Sequence, residues 1–243
     1  MPDQTAHNPF YARAEKYWVQ SRRPVVSLVF IAPLLAIYEA GVLIWGVQNG
    51  AYAWLRQFLD LMGFSQHLLL PLLTVCVLLG WHYLIHEPWR FSPGVLSPMV
   101  AESFLLALCL QVLLVFQGTL LLSTGQAAEP GVGAKMVGYL GAGIYEELLF
   151  RLILLSATVW LIRRWWTAHN LSLMLAVLVS SVIFSAAHYV GAAGYDFQWF
   201  SFLFRFMAGV FFSILFIYRG FGIAVGAHAT YDILTMLFMR NSY

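Results

Sequence analysis

The sequence predicts an all-α protein: a polytopic membrane bundle of about seven transmembrane helices, with a further helix in the interface and a polar cavity inside the membrane. Three observations predict it. Of the 243 residues, 61% are hydrophobic and 10% are charged, where a soluble domain carries about 25% charged residues. Too few charges remain to cover a water-facing surface, so most of the surface must meet lipid. The apolar residues are gathered into runs near the roughly 20 residues that a helix needs to cross a bilayer. Several ionisable residues stand inside those runs, where they are costly unless paired or hydrated.

The elements follow in order. Residues 1–24 are polar and contain Arg13, Lys16, Arg22 and Arg23, which suits a cytoplasmic tail. Residues 25–243 read as a single transmembrane domain. Its first run, 25–46, is too long for a signal-peptide core and has no small-x-small cleavage site before Gln48, so it is expected to be retained as a helix. The segment 51–64, "AYAWLRQFLDLMGF", alternates apolar and polar residues at near-helical spacing and reads as the interfacial helix. Further spans are expected at about 68–85, 100–123, 136–162, 171–189, 199–218 and 221–239. "HEPWRFSPGVLSP" and "AAEPGVGAK" carry Pro and Gly and read as connections. The aromatic stretch 195–209 reads first as an interfacial belt, with a wall of an access route between helices as the alternative. Cys76 and Cys109 lie in separate apolar runs and are expected to pack as small hydrophobes rather than to pair.

The net charge of +2 and the lack of a basic run exclude a nucleic-acid partner. Lys and Arg placement orients the chain. With the N-terminus inside, one side carries Arg13, Lys16, Arg22, Arg23, Arg90, Arg163, Arg164 and Arg219. The other carries Arg56, Lys135 and Arg240, and seven spans put the C-terminus outside.

Within the spans stand Glu39, Glu146, Glu147, Arg151, His188, Arg205, His228 and Asp232. Glu39 and Arg205 are single groups that neighbouring helices could satisfy. The stretch "GIYEELLFRL" is denser. Glu147 and Arg151 are four apart and share a helical face in the favourable acid-before-base order. Glu146 is turned about 100° away from Glu147. Arg151 can hold one acid and leave the other for chemistry; a purely structural Glu–Arg–Glu clamp is the alternative. His228 and Asp232 are also four apart. Lipid-facing placement of all these groups is excluded by its cost, so they are expected to face the bundle interior.

In order, Glu146-Glu147-Leu-Leu-Phe-Arg151, Phe184-Ser-Ala-Ala-His188 and His228-Ala-Thr-Tyr-Asp232 resemble the motifs of the CPBP family, the CAAX-processing and bacteriocin-processing intramembrane endopeptidases, also called Abi proteins. The resemblance covers about the last 110 residues. It implies a glutamate-dependent endopeptidase acting on a membrane-associated protein or peptide. Glu146, helped by His188, would activate water; His228 and Asp232 would serve the oxyanion, with Glu147, Arg151 and Phe184 in support. Many members carry Asn where this chain has Asp232. An ionised Asp cannot donate to an oxyanion, so Asp232 is expected to fix the tautomer of His228. No cofactor is implied. A zinc site built from Glu146, His188, His228 and Asp232 is the alternative chemistry, and a non-enzymatic immunity or transport role is the alternative class. A bacterial inner membrane is the expected location. Glu146 lies 17 positions before Arg163, about 25 Å along a helix, which puts the site in the outer half of the bilayer.

Overall fold

The computed structural model describes residues 9–64, 68–118, 131–165, 168–190 and 196–240, and among these there is no strand. The helices are α1 (Pro9–Ser21), α2 (Pro24–Trp45), α3 (Gly50–Leu61), α4 (Leu69–Leu84), α5 (Leu96–Gly118), α6 (Val132–Glu146), α7 (Ser156–Trp165), α8 (His169–Ala187), α9 (Trp199–Arg219) and α10 (Phe221–Arg240). Among the described residues, five helical stretches are long and apolar enough to cross a membrane: Pro24–Trp45, Pro93–Leu114, His169–Ala187, Trp199–Arg219 and Phe221–Phe238. The shorter apolar α4 covers the expected span 68–85. The chain is a multi-pass membrane protein of all-helical architecture, and many large apolar side chains, such as Leu43, Leu105 and Val182, lie exposed on it.

Helix ends follow local chemistry. Pro24 opens α2 at a position where its missing N–H costs nothing. The Asn49 side chain caps α3 by accepting the Tyr52 N–H at 2.8 Å. Gly220 separates α9 from α10 with φ +84°, and a Cβ there would stand 3.1 Å from the Arg22 backbone. The turn therefore needs glycine on both counts. Part of "HEPWRFSPGVLSP" is already helical, since α5 begins at Leu96. Of "AAEPGVGAK", residues 127–130 lie outside the described part.

The expected plain helix over 136–162 is interrupted. Between α6 and α7 the segment Glu147–Leu155 is π-helical. That geometry is rare and tends to occur at functional sites, and here it carries Glu147 and Arg151.

Helix α10 runs through the middle of the bundle and packs against α2, α5, α6 and α9. Phe221, Ile223, Ala224, Val225 and Ala227 are all fully buried. Small residues allow this. Gly222 and Gly226, four apart, face Ser27 and Ser103, and a Cβ at Gly226 would lie 2.5 Å from Ser103 Oγ. Between helices in lipid, close packing by small residues replaces the hydrophobic drive of water.

One end of the bundle is tied by charge. Arg219, the last residue of α9, pairs with Glu102 of α5 at 2.5 Å and donates to Ser21 Oγ at 3.0 Å. Its guanidinium lies 3.8 Å from the centroid of the Trp18 ring. Tyr17 also donates to Glu102; burial, then that carboxylate, push its phenol well above the usual range, so it keeps its proton. Arg219 was expected to be a loop cation, and Glu102 escaped the sequence reading because it sits one turn inside an apolar run. Arg23 pairs with Glu87 at 2.9 Å at this same end. Cys76 and Cys109 are unpaired and exposed, not packed in the core.

Candidate active site

At the other end lies a cavity of about 1290 Å³, walled by α3, α6, α8, α9 and α10, with Glu146, His188, His228 and Asp232 in its lining. Each reaches it for a local reason. Glu146 is the last residue of α6. Three positions before the α6 end, Gly143 faces α10: a Cβ there would stand 2.8 Å from Ala229 Cβ and 2.9 Å from its backbone N. This close approach brings His228, the neighbour of Ala229, against both glutamates. His188 follows the end of α8.

Glu146 Oε2 lies 3.8 Å from Nε2 of His188 and 3.8 Å from Nε2 of His228. The His188 Nδ1 is 2.8 Å from the Phe184 carbonyl. A carbonyl only accepts, so Nδ1 carries the proton, and the neutral ring turns the Nε2 lone pair toward Glu146. His228 is held differently. Its Nδ1 lies 2.7 Å from Glu147 Oε1 and donates to that carboxylate. Its other nitrogen faces Glu146 and, at 3.7 Å, Asp232 Oδ2.

Beneath these groups Glu147 and Arg151 are sealed from solvent and pair at 3.3 Å. The Arg151 guanidinium lies over the Phe184 ring at 4.2 Å and 5.5 Å from that of Phe212, a dry cation–π setting. Phe212 also stacks on His228, with centroids 4.4 Å apart and an interplanar angle of 14°. The expected division between the glutamates is therefore visible: Arg151 and His228 hold Glu147, and Glu146 faces the cavity. Glu39, outside this group, accepts the Tyr145 hydroxyl at 2.6 Å. That bond ties α2 to α6 one residue before Glu146.

The chain residues 131–234 match the family model described as type II CAAX prenyl endopeptidase Rce1-like, and every side chain of the cavity floor lies within them. This segment, less than half of the chain, is similar to that family. The chain is also 30% identical over 93 residues to the sporulation-killing factor biosynthesis protein SkfC of Bacillus subtilis (strain 168). The match covers 38% of this chain and only 17% of that relative's length. No solved structure matches the chain.

Within the Rce1-like segment one expectation is corrected. Asp232 does not fix the His228 tautomer; Glu147 does. Asp232 is one turn further along the same helix and reaches only the cavity-facing nitrogen, while Glu147 comes from the π-helical segment beneath the ring. The aromatic stretch 195–209 is also more than a belt, since Trp199, Phe204 and Ala208 line the cavity; residue 195 lies outside the described part. Sequence reasoning missed Phe212, hidden in a run of phenylalanines. Its signal was helical spacing: Ser201, Phe204, Arg205, Ala208 and Phe212 share one face. Among the described residues no group of three or more His, Cys, Asp or Glu is arranged to hold a metal ion.

Proposed function

We propose that this protein is an intramembrane endopeptidase that hydrolyses a peptide bond of a membrane-associated protein or peptide, with Glu146 as the base. The observation that carries the proposal is the placing of one carboxylate oxygen 3.8 Å from the Nε2 atoms of two histidines, at the wall of a deep cavity. A water about 2.8 Å from both Glu146 Oε2 and His188 Nε2 fits off the line between them. Both of those atoms are acceptors, so the water gives each a hydrogen bond and keeps a lone pair for attack on a carbonyl carbon. Glu146 takes the proton as the C–O bond forms and passes it to the departing amine as the C–N bond breaks.

The tetrahedral intermediate places an oxyanion near His228. With Nδ1–H fixed on Glu147, Nε2 donates to that oxyanion when the ring carries both protons. Glu147 and Asp232 balance the resulting charge. The Rce1-like segment and the likeness to a biosynthesis protein of a bacterial killing factor support peptide processing in a bacterial inner membrane. The floor of phenylalanine rings keeps bulk water from the reacting atoms.

No metal enters these steps. Glu146→Gln keeps the shape and removes the basic carboxylate; kcat for a reconstituted peptide substrate is expected to fall by roughly 10²–10⁴-fold, with an unchanged melting temperature. Wild-type cleavage is expected to survive chelators. Full activity in Glu146→Gln would remove the base assignment. Loss to chelator with rescue by zinc would replace it with metal chemistry on the same residues.

A further inference from the structure

Glu39 is buried in the second half of α2, inside an apolar span. An acid in that setting is costly and marks a functional role by default. It lies outside residues 131–234, and the steps above do not use it. Its Oε1 accepts the Tyr145 hydroxyl at 2.6 Å, and Tyr145 immediately precedes Glu146. Tyr145 sits in a cage of rings. Its centroid is 5.4 Å from that of Tyr38 on α2 and 5.1 Å from that of Tyr52 on α3, and those two are 5.6 Å apart. All three tyrosines are fully buried. Gly141 makes room for the cage one turn earlier on α6, since a Cβ there would collide with the Tyr38 ring and stand 2.6 Å from Asn49 Nδ2.

This grip falls where α6 needs it. The α-helix ends at Glu146 and the π-helical segment starts at Glu147. A π-turn pairs each N–H one residue further back than an α-turn does, so the angular setting of the side chains changes at this junction. Successive helical residues differ by about 100°, so Tyr145 can be anchored to α2 while Glu146 faces the cavity. Ring contacts alone lack the direction of a hydrogen bond. The setting matters because Glu146 Oε2 is 3.8 Å from Nε2 of both His188 and His228, and misplacing reacting groups by about 1 Å costs on the order of 10²-fold. We propose that Glu39 is a positioning residue for Glu146: by accepting the Tyr145 hydroxyl it sets the rotation of the α6 end and holds the base between the two histidines. The kinetic consequence rests on the peptidase reading above.

The test uses the full chain in proteoliposomes, with an internally quenched degenerate peptide library carrying an N-terminal palmitoyl group as the probe. Tyr145→Phe removes one hydroxyl and keeps the three rings. It is expected to lower kcat by roughly 10–100-fold and to leave the apparent KM nearly unchanged. Glu39→Leu should match it, and the double variant should be no worse than either single one, because both remove the same bond. Glu39→Gln still accepts the hydroxyl and should restore most of the rate. Tyr38→Phe, which takes a hydroxyl from the same cage, should keep the wild-type kcat. The second readout is the titration of Glu146, followed as the carboxyl infrared band absent from Glu146→Gln. It is expected to shift in Tyr145→Phe and Glu39→Leu and to return in Glu39→Gln. An unmoved titration, or an unchanged kcat where the wild type cleaves, overturns the proposal and leaves a strut between helices. So do losses that multiply in the double variant, a change confined to KM, or an equal loss in Tyr38→Phe. If Glu39→Leu does not fold, Tyr145→Phe decides alone. Absence of wild-type cleavage removes the peptidase reading, and the positioning of Glu146 then stands or falls on the infrared titration.

Discussion

Adjacent glutamates take different tasks because the helix turns between them. Glu147 points into a sealed pocket, where Arg151 and His228 both bind it. Glu146 reaches the cavity. Arg151→Ala would leave Glu147 buried without its cation, and breaking a buried pair from one side costs about 3–5 kcal/mol. A clear fall in thermal midpoint in detergent is expected, larger than for Glu146→Gln. Glu147→Gln should lower both stability and kcat, because the same atom change loosens Arg151 and weakens the hold on His228 Nδ1. Thermal stability and kinetics on the two variants separate these effects. The roles proposed for Glu146 and His228 have opposite proton requirements. Glu146 must be ionised to accept a proton, and His228 must carry two protons to donate from Nε2. The rate should therefore be lost as pH falls through the titration of Glu146 and lost again as pH rises through that of His228, giving a bell in kcat/KM. A flat profile across the range where the protein stays folded would contradict the pairing of roles.

At the level of elements, the site depends on how closely α10 approaches α6. Gly143→Ala puts a methyl group 2.8 Å from Ala229 Cβ. Overpacking of this kind costs about 1–3 kcal/mol, and the relief available is to push α10 outward, taking His228 away from both glutamates. Reduced stability together with a larger loss in kcat is expected, and the two are read from thermal melts and steady-state kinetics. The elements themselves were legible in the sequence because apolar run length decides whether a helix can cross lipid. Glu146, His188, His228 and Asp232 could be expected to converge because lipid excludes them from the outer faces. Periodicity alone could not show the π-helical turn at Glu147–Leu155, since the same apolar pattern suits an α-helix. Nor could it show that Glu147, rather than Asp232, reaches His228 Nδ1. That depends on the approach of α10 to α6, a tertiary fact carried by one glycine. Glu102 stayed hidden for a related reason: its cation, Arg219, lies 117 positions away in the chain.

Across the whole molecule the two ends differ. Arg22 and Arg23 pack with the Gly220 turn, Glu87 and Arg90 at one end. The cavity is lined by Lys135 at the start of α6 and by Val190 just beyond α8, at the other. The positive-inside rule puts the arginine end in the cytoplasm, so the cavity is expected to open on the outer side. Single cysteines placed at Lys135, Arg163 and Val190, in a background lacking the exposed Cys76 and Cys109, test this with an impermeant thiol reagent. Labelling from outside is expected at 135 and 190 and not at 163; the reverse pattern inverts the orientation. The burial of Glu146 behind the cavity mouth then carries an electrical consequence. A living membrane is charged, negative inside, and a full crossing is worth about 2.3 kcal/mol per elementary charge per 100 mV. A proton travelling from the outer solution to Glu146 descends part of that voltage. An energised membrane therefore favours the proton on the base and holds cleavage back, and depolarisation releases it. On the proposed reading of Glu146 as the base of a peptidase, the rate would follow the metabolic state of the cell with no bound regulator, because Glu146 sits partway down the transmembrane field.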